Sequence, residues 1–473
     1  MFTTTRVFRA HLICAITLWL TGALLLNAQT APSLSPQLRS SIDEVAQQVL
    51  KSTGVPSASV AVTQDGKIAY VNAYGAARLD PPTAATPAMR YSIGSISKQF
   101  TATAILLLAE QGKLSLDDPV SKYVSGLTDG NQVTIRELLS HTSGYQDYWP
   151  QDYAPPMMLE PISAEGIMQR WARKPLDFAP GTKWQYSNTN YVIAGVIVEK
   201  VSGMPLLQFL SQRVFTPLGM KSVADTDANQ LPPTDPTGYL RYALGPLHAA
   251  PKEGSGWMFA AGELAMTAGD LAKWDISMME ESVLKPASYR EMETEGRLKN
   301  GVGTRYGLGI SINSTNGHRT LEHGGEVVGF VAENMVLPDD KIAVAVLTNQ
   351  DASAAAGDIA KQVSALLLKA ANPQDPKQDE LMRKVYDGLQ QGKIDRSLFT
   401  DNANAYFTEL ALKDYADSLG PLGAPQSFTQ TRTSSRGGMT ERVYHVQYPK
   451  KTLVIVIYQM PDGKIEQYLV LEQ

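Results

Sequence analysis

The sequence contains only one cysteine, Cys14, among its 473 residues. This cysteine lies inside an apolar run near the N-terminus, so a chain cleaved after that run would contain none. Disulfide bonds, thiolate zinc sites and a cysteine nucleophile are therefore excluded from the mature chain that we expect.

Histidine and basic charge are also scarce. Histidine occurs six times, and the sequence has neither the His-x-His-x-Asp nor the His-Glu-x-x-His spacing of hydrolytic metal sites. A metallohydrolase is therefore the weakest of the enzyme interpretations, and we expect no metal and no other cofactor. The formal charge of −5 argues against nucleic acid as a partner.

A long apolar run at the N-terminus stands apart from the rest of the chain. Arg6 and Arg9 precede apolar residues 12–26, and Ala28 offers a small residue for cleavage. This pattern predicts a signal peptide over residues 1–28. An uncleaved N-terminal anchor is the alternative, and it would be the protein's contact with a membrane. In either case we expect the folded part to be exported, to the periplasm or the exterior of a bacterium.

The order of strand and helix patterns predicts an α+β fold. Strand patterns at residues 57–72 and 306–347 flank a long section of helices and loops. We therefore expect an antiparallel sheet made from N- and C-terminal segments, flanked by helices and interrupted by a helical inserted region. This domain would cover residues 33–370. Residues 371–378 are typical of a linker, and residues 379–473 carry the patterns of a small α+β domain.

The most informative stretch is Ser95-Ile96-Ser97-Lys98, which begins an apolar segment that ends at Gly112. The segment predicts a buried helix from about residue 95 to residue 111. Side chains three residues apart share a helix face, so the Lys98 amine can reach the Ser95 hydroxyl. Burial would lower the pKa of Lys98 and let it act as a base, and the helix N-terminus would favour an anion. The alternative is an N-cap serine beside a solvated lysine.

Two further motifs could supply partners for this pair. Tyr186 and Asn188 lie in a loop that enters a helix; a tyrosine hydroxyl can pass on a proton, and an asparagine amide can bind a substrate amide or carbonyl. Packing is the alternative role for Tyr186. His141, in the polar loop Leu139–Gly144, is interpreted as a structural brace of the cleft.

The second motif is His323-Gly324-Gly325-Glu326, which follows a predicted strand. Its glycines would let the backbone approach a ligand closely. The Glu326 N–H could then face the Ser95 N–H as a second donor to an oxyanion. A simple turn is the alternative.

Two of the short motifs have a second copy that we interpret as unrelated to the site. Ser282-Val283-Leu284-Lys285 repeats the Ser-x-x-Lys spacing, but Pro286 follows it and no long apolar helix begins there. Tyr70-Val71-Asn72 repeats the Tyr-x-Asn spacing inside a predicted hairpin strand. Short spacing alone is therefore a weak signal.

Taken together and in this order, the motifs resemble those of the serine β-lactamase-like hydrolases. The branch is that of class C β-lactamases, D-alanyl-D-alanine carboxypeptidases, D-aminopeptidases and related esterases. The resemblance runs from Pro36 to Lys369. It rests on Ser95–Lys98, Leu139–Gly144, Pro180–Asn190, Ala261–Ala272 and His323–Phe330.

The resemblance implies a role for each residue. Ser95 would be the acylated nucleophile, and Lys98 with Tyr186 the proton-transfer pair. Asn188 would bind substrate, and His323 would occupy the third motif of the family. The C-terminal domain resembles an NTF2-like cone.

One motif departs from the family pattern. Penicillin-recognising members carry Lys-Thr-Gly where this chain has His323-Gly324-Gly325. A mostly neutral imidazole holds a carboxylate less well than an ammonium does. We therefore expect an ester, an amide or a D-amino-acid peptide as substrate rather than an efficiently hydrolysed β-lactam.

Several alternatives stay open on the sequence alone. A non-catalytic sensor that holds a peptidoglycan fragment in the same cleft, or a true β-lactamase, could carry the same motifs. The C-terminal domain could be a substrate lid, a dimerisation surface or a spacer. The sequence fixes neither the oligomeric state nor the identity of the small-molecule or short-peptide substrate.

Overall fold

The apolar strands near the two ends of the predicted first domain pair with each other. In the computed structural model, Ser57–Gln64 and Ile342–Thr348 run antiparallel, with Val60 opposite Val346. Nearly every residue of both strands is buried, as expected of strands covered on both faces. This pairing confirms the predicted sheet of N- and C-terminal segments. The structure describes residues 34–151, 154–315, 317–371 and 376–472.

The secondary structure follows in chain order. The strands are β1 (Ser57–Gln64), β2 (Lys67–Leu79), β3 (Pro82–Ala84), β4 (Tyr91–Ser92), β5 (Ala224–Asp225), β6 (Tyr239–Arg241), β7 (Leu247–Ala249), β8 (Leu264–Met266), β9 (Ser311–Thr315), β10 (His318–Val327), β11 (Phe330–Leu337), β12 (Ile342–Thr348), β13 (Ser427–Arg436), β14 (Met439–Gln447), β15 (Thr452–Gln459) and β16 (Ile465–Glu472). The α-helices are α1 (Pro36–Thr53), α2 (Ser97–Glu110), α3 (Ile135–Leu139), α4 (Ala164–Ile167), α5 (Asn188–Ser202), α6 (Leu206–Leu210), α7 (Ala268–Met279), α8 (Pro286–Met292), α9 (Ala355–Ala371), α10 (Pro376–Leu389), α11 (Asp401–Tyr406) and α12 (Glu409–Leu419).

A seven-stranded sheet organises the first domain, in the order β3-β2-β1-β12-β11-β10-β9. The helices α1 and α9 pack together and against one face, around a core that includes Ile42 and Ile359. On the other face α7 packs against β1 and β12, and α2 packs against α5 within a larger core that includes Phe100 and Ile193. The helices α2 to α8 lie between β4 and β9 in the chain, as predicted for the inserted region.

One predicted strand is shorter than its sequence suggests. The pattern predicts a strand over residues 306–312, whereas β9 begins at Ser311. A Cβ on Gly307 would lie 2.1 Å from the Met292 carbonyl oxygen, and one on Gly309 would lie 2.8 Å from the Lys98 carbonyl oxygen. At Gly307 and Gly309 the main chain packs directly against the backbone of Met292 and Lys98, which only glycine permits. This segment therefore lies outside the sheet, and the strand begins after it.

The C-terminal residues form a sheet of their own, in the order β13-β14-β15-β16. Helices α10 to α12 contribute to its separate core, which includes Tyr386, Ile455 and Tyr468. The predicted small α+β unit is thereby confirmed. Its resemblance to an NTF2-like cone and the domain boundaries stay predictions, and α10 begins at Pro376, inside the predicted linker of residues 371–378.

The N-terminal prediction concerns residues that lie outside this description. Residues 1–28, the predicted signal peptide, are not among the described ranges. Within those ranges, no single helix is long and apolar enough to cross a membrane. The segments Asn188–Ser202 and Leu206–Phe215 meet the length and composition limits only as a pair bent by 69°.

A carboxyl group is buried between α7 and the sheet. Asp275 is fully buried, and so is Asn334 of β11, which faces it. Burial raises the pKa of Asp275 to about 8, and the Asn334 amide offsets this only in part. Neither side chain makes a hydrogen bond of standard geometry to another described residue. The carboxyl group is therefore protonated in the folded protein at neutral pH.

We predict that Asp275→Asn stabilises the protein at alkaline pH. Because the folded-state pKa is raised, the contribution of Asp275 to stability is full below pH 3.8 and is lost as the pH rises toward about 8. Asparagine has the same shape and does not ionise, so the gain should grow from pH 5 to pH 8, reaching on the order of a few kcal/mol. Urea unfolding of both proteins at the two pH values measures this. A variant less stable than wild type at pH 8 would contradict the assignment.

Candidate active site

Ser95 lies at the entrance to the main core helix. A 3-10 turn, Gly94–Ile96, precedes α2, so Ser95 lies just outside the α-helix that the sequence predicts to contain it. Gly94 has a φ of +50°, and a Cβ there would lie 2.7 Å from the Glu326 nitrogen. Glycine is therefore required, and it lets the turn hold Ser95 against β10.

Lys98 is fully buried in the first turn of α2, and its amine has three partners. The Nζ atom lies 3.0 Å from Ser95 Oγ, 2.8 Å from Asn188 Oδ1 and 2.8 Å from the Ala261 carbonyl oxygen. The structure thus brings together Ser95, Lys98 and Asn188, three of the residues that the motifs single out.

The partners of Lys98 match an uncharged amine. Burial lowers the pKa of Lys98 to about 7, and the charge of Asp147 offsets this only in part. An uncharged amine has two N–H donors and one lone pair. The oxygens of Asn188 and Ala261 can only accept, whereas the Ser95 hydroxyl can donate to the lone pair. The Lys98 amine is therefore placed to take the Ser95 proton.

Tyr186 reaches Ser95 from the loop that precedes α5. Its hydroxyl lies near enough to the Ser95 side chain to act on the Tyr186 pKa, and Lys98 Nζ lies 4.9 Å from the centre of its ring. Burial raises the pKa of Tyr186, so the phenol keeps its proton at neutral pH. Within the predicted proton-transfer pair, Lys98 is therefore suited to be the base, and Tyr186 to carry a proton onward.

Asn188 begins α5, and its side-chain amide is held at both ends. Its Oδ1 accepts from Lys98, while its Nδ2 lies 3.3 Å from each carboxylate oxygen of Asp147. Its backbone N–H also donates to Asp147 Oδ1, at 2.9 Å. The amide thus has protein partners on both sides, and its direct role in substrate binding stays a prediction.

Asp147 is a site residue that the motifs did not reveal. Burial raises the pKa of Asp147 to about 6. Hydrogen bonds from Asn188 and Trp149 and the charge of Lys98 lower this pKa and so offset the effect of burial only in part. Above that pH it is a carboxylate that orients the Asn188 amide, so that the amide oxygen faces Lys98. In the sequence, Asp147 follows the Leu139–Gly144 block by three residues, and this proximity to a motif is the feature that could have pointed to it.

The strand β10 runs through the third motif instead of ending before it. His323 lies inside His318–Val327, with its Nδ1 2.5 Å from the Gly324 carbonyl oxygen and its Nε2 2.9 Å from the Tyr306 hydroxyl. A carbonyl only accepts, so Nδ1 carries the proton and Nε2 accepts from Tyr306. Burial lowers the pKa of His323 to about 4. The imidazole is therefore neutral, and both its nitrogens are occupied.

The glycines of the third motif bring β10 against the Ser95 turn. A Cβ on Gly325 would lie 1.9 Å from the Ile93 carbonyl oxygen and 3.2 Å from the Ser95 nitrogen. Gly324, its neighbour, is exposed at the site. Gly325 therefore makes the close approach that the motif predicts. The approach brings the backbone of β10 against the backbone of the turn that contains Ser95, whereas the prediction was an approach to a ligand.

The Glu326 N–H lies on the side of β10 that packs against the turn containing Ser95. Val327 and Phe330 close a two-residue hairpin loop, and hydrogen-bonded pairs alternate along antiparallel strands, so the Glu326 N–H faces away from β11. The strand β9 pairs with β10 only as far as Glu322, which leaves the edge beyond it free. Two main-chain donors can thus meet one oxygen beside Ser95.

His141 packs directly against Tyr186. The centres of the two rings are 4.3 Å apart, and His141 Nδ1 accepts from the Ser187 N–H at 3.2 Å. Burial and the Lys98 charge lower the pKa of His141 well below its ordinary value. A neutral, stacked imidazole that also binds the backbone beside Tyr186 fits the bracing role expected of it.

The second copies of the short motifs lie elsewhere. Tyr70 and Asn72 of β2 hydrogen-bond to Asp43 of α1. Ser282 precedes α8 and Lys285 is its N-cap residue. None of these side chains lines the cavity that contains Ser95.

A cavity of about 520 Å³ opens onto Ser95. One part of its wall is apolar and includes Tyr148, Trp149, Met158 and Met258. Another part carries the carboxyl groups of Glu326, Glu333 and Asp351, and no lysine or arginine is among the described residues that line it. Within the described ranges, no group of three or more His, Cys, Asp or Glu side chains is arranged to hold a metal ion.

We predict that Asp147→Asn lowers the pKa of Lys98. The negative charge of Asp147 favours the protonated amine, so its removal should move the Lys98 titration down by about one pH unit. NMR titration of lysine labelled at Cε measures this. Asp177→Asn is the matched control, because Asp177 binds Gln185 and contacts neither Lys98 nor Asn188. An unchanged or higher Lys98 pKa in Asp147→Asn would contradict the coupling.

Comparison with known proteins places the chain in a family. The family model described as Beta-lactamase matches residues 42–369. A D-aminopeptidase from Brucella anthropi is 29% identical over 314 residues, which are 63% of this chain and 57% of that protein. The chain thus spans less than two thirds of the length of that curated relative.

Solved structures agree with this assignment. A D-stereospecific amidohydrolase from Streptomyces sp. is 27% identical, with a TM-score of 0.59, over 67% of this chain and 96% of that one. A penicillin-binding protein homologue from Pyrococcus abyssi shares the fold at 23% identity, with a TM-score of 0.62, over 92% of this chain and 100% of that one. The chain belongs to the serine β-lactamase-like hydrolase family.

Proposed function

We propose that this protein is an exported hydrolase that forms an acyl-enzyme on Ser95 and cleaves an amide bond of a D-amino acid. The observation that carries the proposal is the buried Lys98 amine, 3.0 Å from Ser95 Oγ, whose two other partners can only accept hydrogen bonds. An uncharged amine so placed removes the hydroxyl proton as the oxygen attacks a carbonyl carbon. No metal or cofactor is required for this step.

Acylation follows from the positions of the other groups. The negative charge that develops on the carbonyl oxygen is stabilised by the N–H groups of Ser95 and Glu326. Tyr186, which keeps its own proton, passes the proton taken from Ser95 to the leaving nitrogen. The bond between carbonyl carbon and nitrogen then breaks, and the acyl group stays on Ser95 Oγ. A water molecule activated by Lys98 attacks the ester and frees Ser95.

Two observations support a D-amino-acid amide as substrate: the activities named for the relatives, and the carboxyl groups in the wall of the cavity. The relatives of highest identity reported above are named D-aminopeptidase and D-stereospecific amidohydrolase. The cavity wall carries Glu326 and Asp351, which repel a substrate carboxylate, and Glu333, which adds to this repulsion above its raised pKa of about 7. His323 is neutral and already bonded at both nitrogens, so it does not offset this repulsion. These features disfavour a β-lactam and favour a neutral or cationic amide.

Separate observations support export and catalysis. The N-terminal pattern of Arg6, Arg9 and the apolar run at residues 12–26 supports export. The hydrogen-bonded Ser95–Lys98 pair favours catalysis over the sensor interpretation, because a binding protein does not need a buried, uncharged base next to a hydroxyl.

We predict that Ser95→Ala abolishes turnover, with a loss of more than about 10⁴-fold. Hydrolysis of p-nitroanilides of D- and L-amino acids, with intact-mass detection of a fluorophosphonate adduct, measures this. Ser282→Ala, which changes the second Ser-x-x-Lys copy, should keep both turnover and adduct. A wild-type protein that forms no adduct and hydrolyses no amide or ester would favour the sensor interpretation.

We also predict that activity rises with pH through the pKa of Lys98. The uncharged amine is the active form, so kcat/KM should fall as the pH drops below 7 and level off above it. Asp147, with a pKa of about 6, loses its charge in the lower part of this range, which lowers the pKa of Lys98 and makes the fall shallower than tenfold per pH unit. His323 stays neutral across this range because its pKa is about 4. Samples held at each pH and assayed at pH 8 control for denaturation. A flat profile between pH 5 and pH 9 would contradict the role of Lys98.

A further inference from the structure

A second cavity of about 420 Å³ lies next to the one that contains Ser95. The two cavities share part of their walls: Met258, Val327 and Val328 line both. The rest of the second cavity is built mainly from the segment between β5 and β8, together with Arg78 and Phe330. The Met258 side chain and the tip of the β10–β11 hairpin therefore lie where the two spaces meet.

The part of β10 beyond Glu322, which has no strand partner on the β9 side among the described residues, leads from one cavity to the other. This edge begins at His323, where pairing with β9 has ended, and runs to Val327, which lines both cavities. Extended peptides add to free strand edges of this kind through main-chain hydrogen bonds. A substrate laid along β10 over Ser95 would enter the second cavity at Val327.

The direction of the substrate along this edge follows from the proposed proton transfers. Tyr186, which protonates the leaving group, lies at the His323 end, with 6.2 Å between the centres of the two rings. The Glu326 N–H, which binds the carbonyl oxygen, lies toward the other end. The leaving group therefore extends toward His323, and the acyl group extends toward Val327 and the second cavity.

The walls of the second cavity suit a peptide. About half of the lining residues are apolar, and the prolines among them lack N–H donors and hold a fixed shape. These prolines are Pro81, Pro232, Pro233, Pro236 and Pro251. Lys252 also lines the cavity, and its amine donates to the Asp227 carbonyl oxygen. The carboxylate of Asp235 is already paired with Arg90, and that of Glu253 accepts from the Val328 N–H at 2.9 Å. The exposed Asp80 carboxylate also lines the cavity.

Arg78 supplies donors that lack acceptors in the protein. Its guanidinium binds the Pro233 carbonyl oxygen, and it makes no ion pair with any residue of the described ranges. Its Nε atom is closed off from the cavity, and one terminal nitrogen is bound to Pro233, so the other terminal nitrogen is the donor left for a carbonyl oxygen in the cavity that Arg78 lines.

We propose that the second cavity binds the residues that precede the acylated one, with Arg78 donating to a main-chain carbonyl oxygen of that extension. The natural acyl group is then a short peptidyl group rather than a single amino acid. This inference rests on the proposed function, because it takes Ser95 as the nucleophile and Tyr186 as the donor to the leaving group.

The test compares D-alanine p-nitroanilide with Leu-D-alanine and Leu-Leu-D-alanine p-nitroanilides. We expect kcat/KM of the wild-type enzyme to be at least about tenfold higher for the extended substrates, because each apolar residue buried in such a pocket is worth roughly that factor. Leu231→Trp, which narrows the second cavity, should bring the extended substrates down toward the level of D-alanine p-nitroanilide. Arg78→Met should raise KM for the extended substrates about tenfold with little change in kcat.

The single-residue substrate shows that each variant is folded and active, since it does not reach the second cavity. Arg290→Gln is the matched control for Arg78→Met, because Arg290 of α8 is exposed and lines neither cavity. Equal kcat/KM for short and extended substrates, or equal losses on both in Leu231→Trp, would overturn the proposal. Failure of every substrate, together with no phosphonate adduct on Ser95, would instead refute the proposed function itself.

Discussion

The burial of one amine is the constraint on which the site depends. A charged ammonium is costly inside a protein unless it is paired, and Lys98 is fully buried at the head of the large core around α2. The fold surrounds it with a hydroxyl from the 3-10 turn, an amide oxygen from α5 and the main-chain carbonyl of Ala261. Two of these partners only accept, so an uncharged amine has its lone pair free toward Ser95. The chemistry proposed for this protein follows from that one orientation.

The sheet explains how the rest of the site is assembled. The hydroxyl and the amine come from one local segment, but the proposed second oxyanion donor, Glu326, and the neutral imidazole of His323 lie on β10, far later in the chain. The pairing of β1 with β12 brings these parts together. Gly94 and Gly325 then allow two backbones to touch beside Ser95, where any side chain would collide. The topology, together with these two contacts, places Glu326 next to the nucleophile.

Much of this could be predicted from the sequence, because local spacing determines it. The Ser95–Lys98 contact needs only one helical turn, and the strand patterns were sufficient to predict a sheet built from both ends of the domain. Asp147, Tyr306 and Ala261 were not predicted, since each acts through a contact across the fold that no local pattern encodes. The extent of β10 was also missed: glycines weaken strand propensity, and pairing with β11 overrides it here. Export and the NTF2-like resemblance stay predictions.

The most direct test of the central claim is neutron diffraction from deuterated crystals of the protein grown at about pH 8.5, above the Lys98 pKa of about 7. We predict two deuterons on Lys98 Nζ, directed at Asn188 Oδ1 and the Ala261 carbonyl oxygen, and a deuteron on Ser95 Oγ that points to Nζ. Three deuterons on Nζ at that pH, with one directed at Ser95, would show a charged amine and contradict its role as the base.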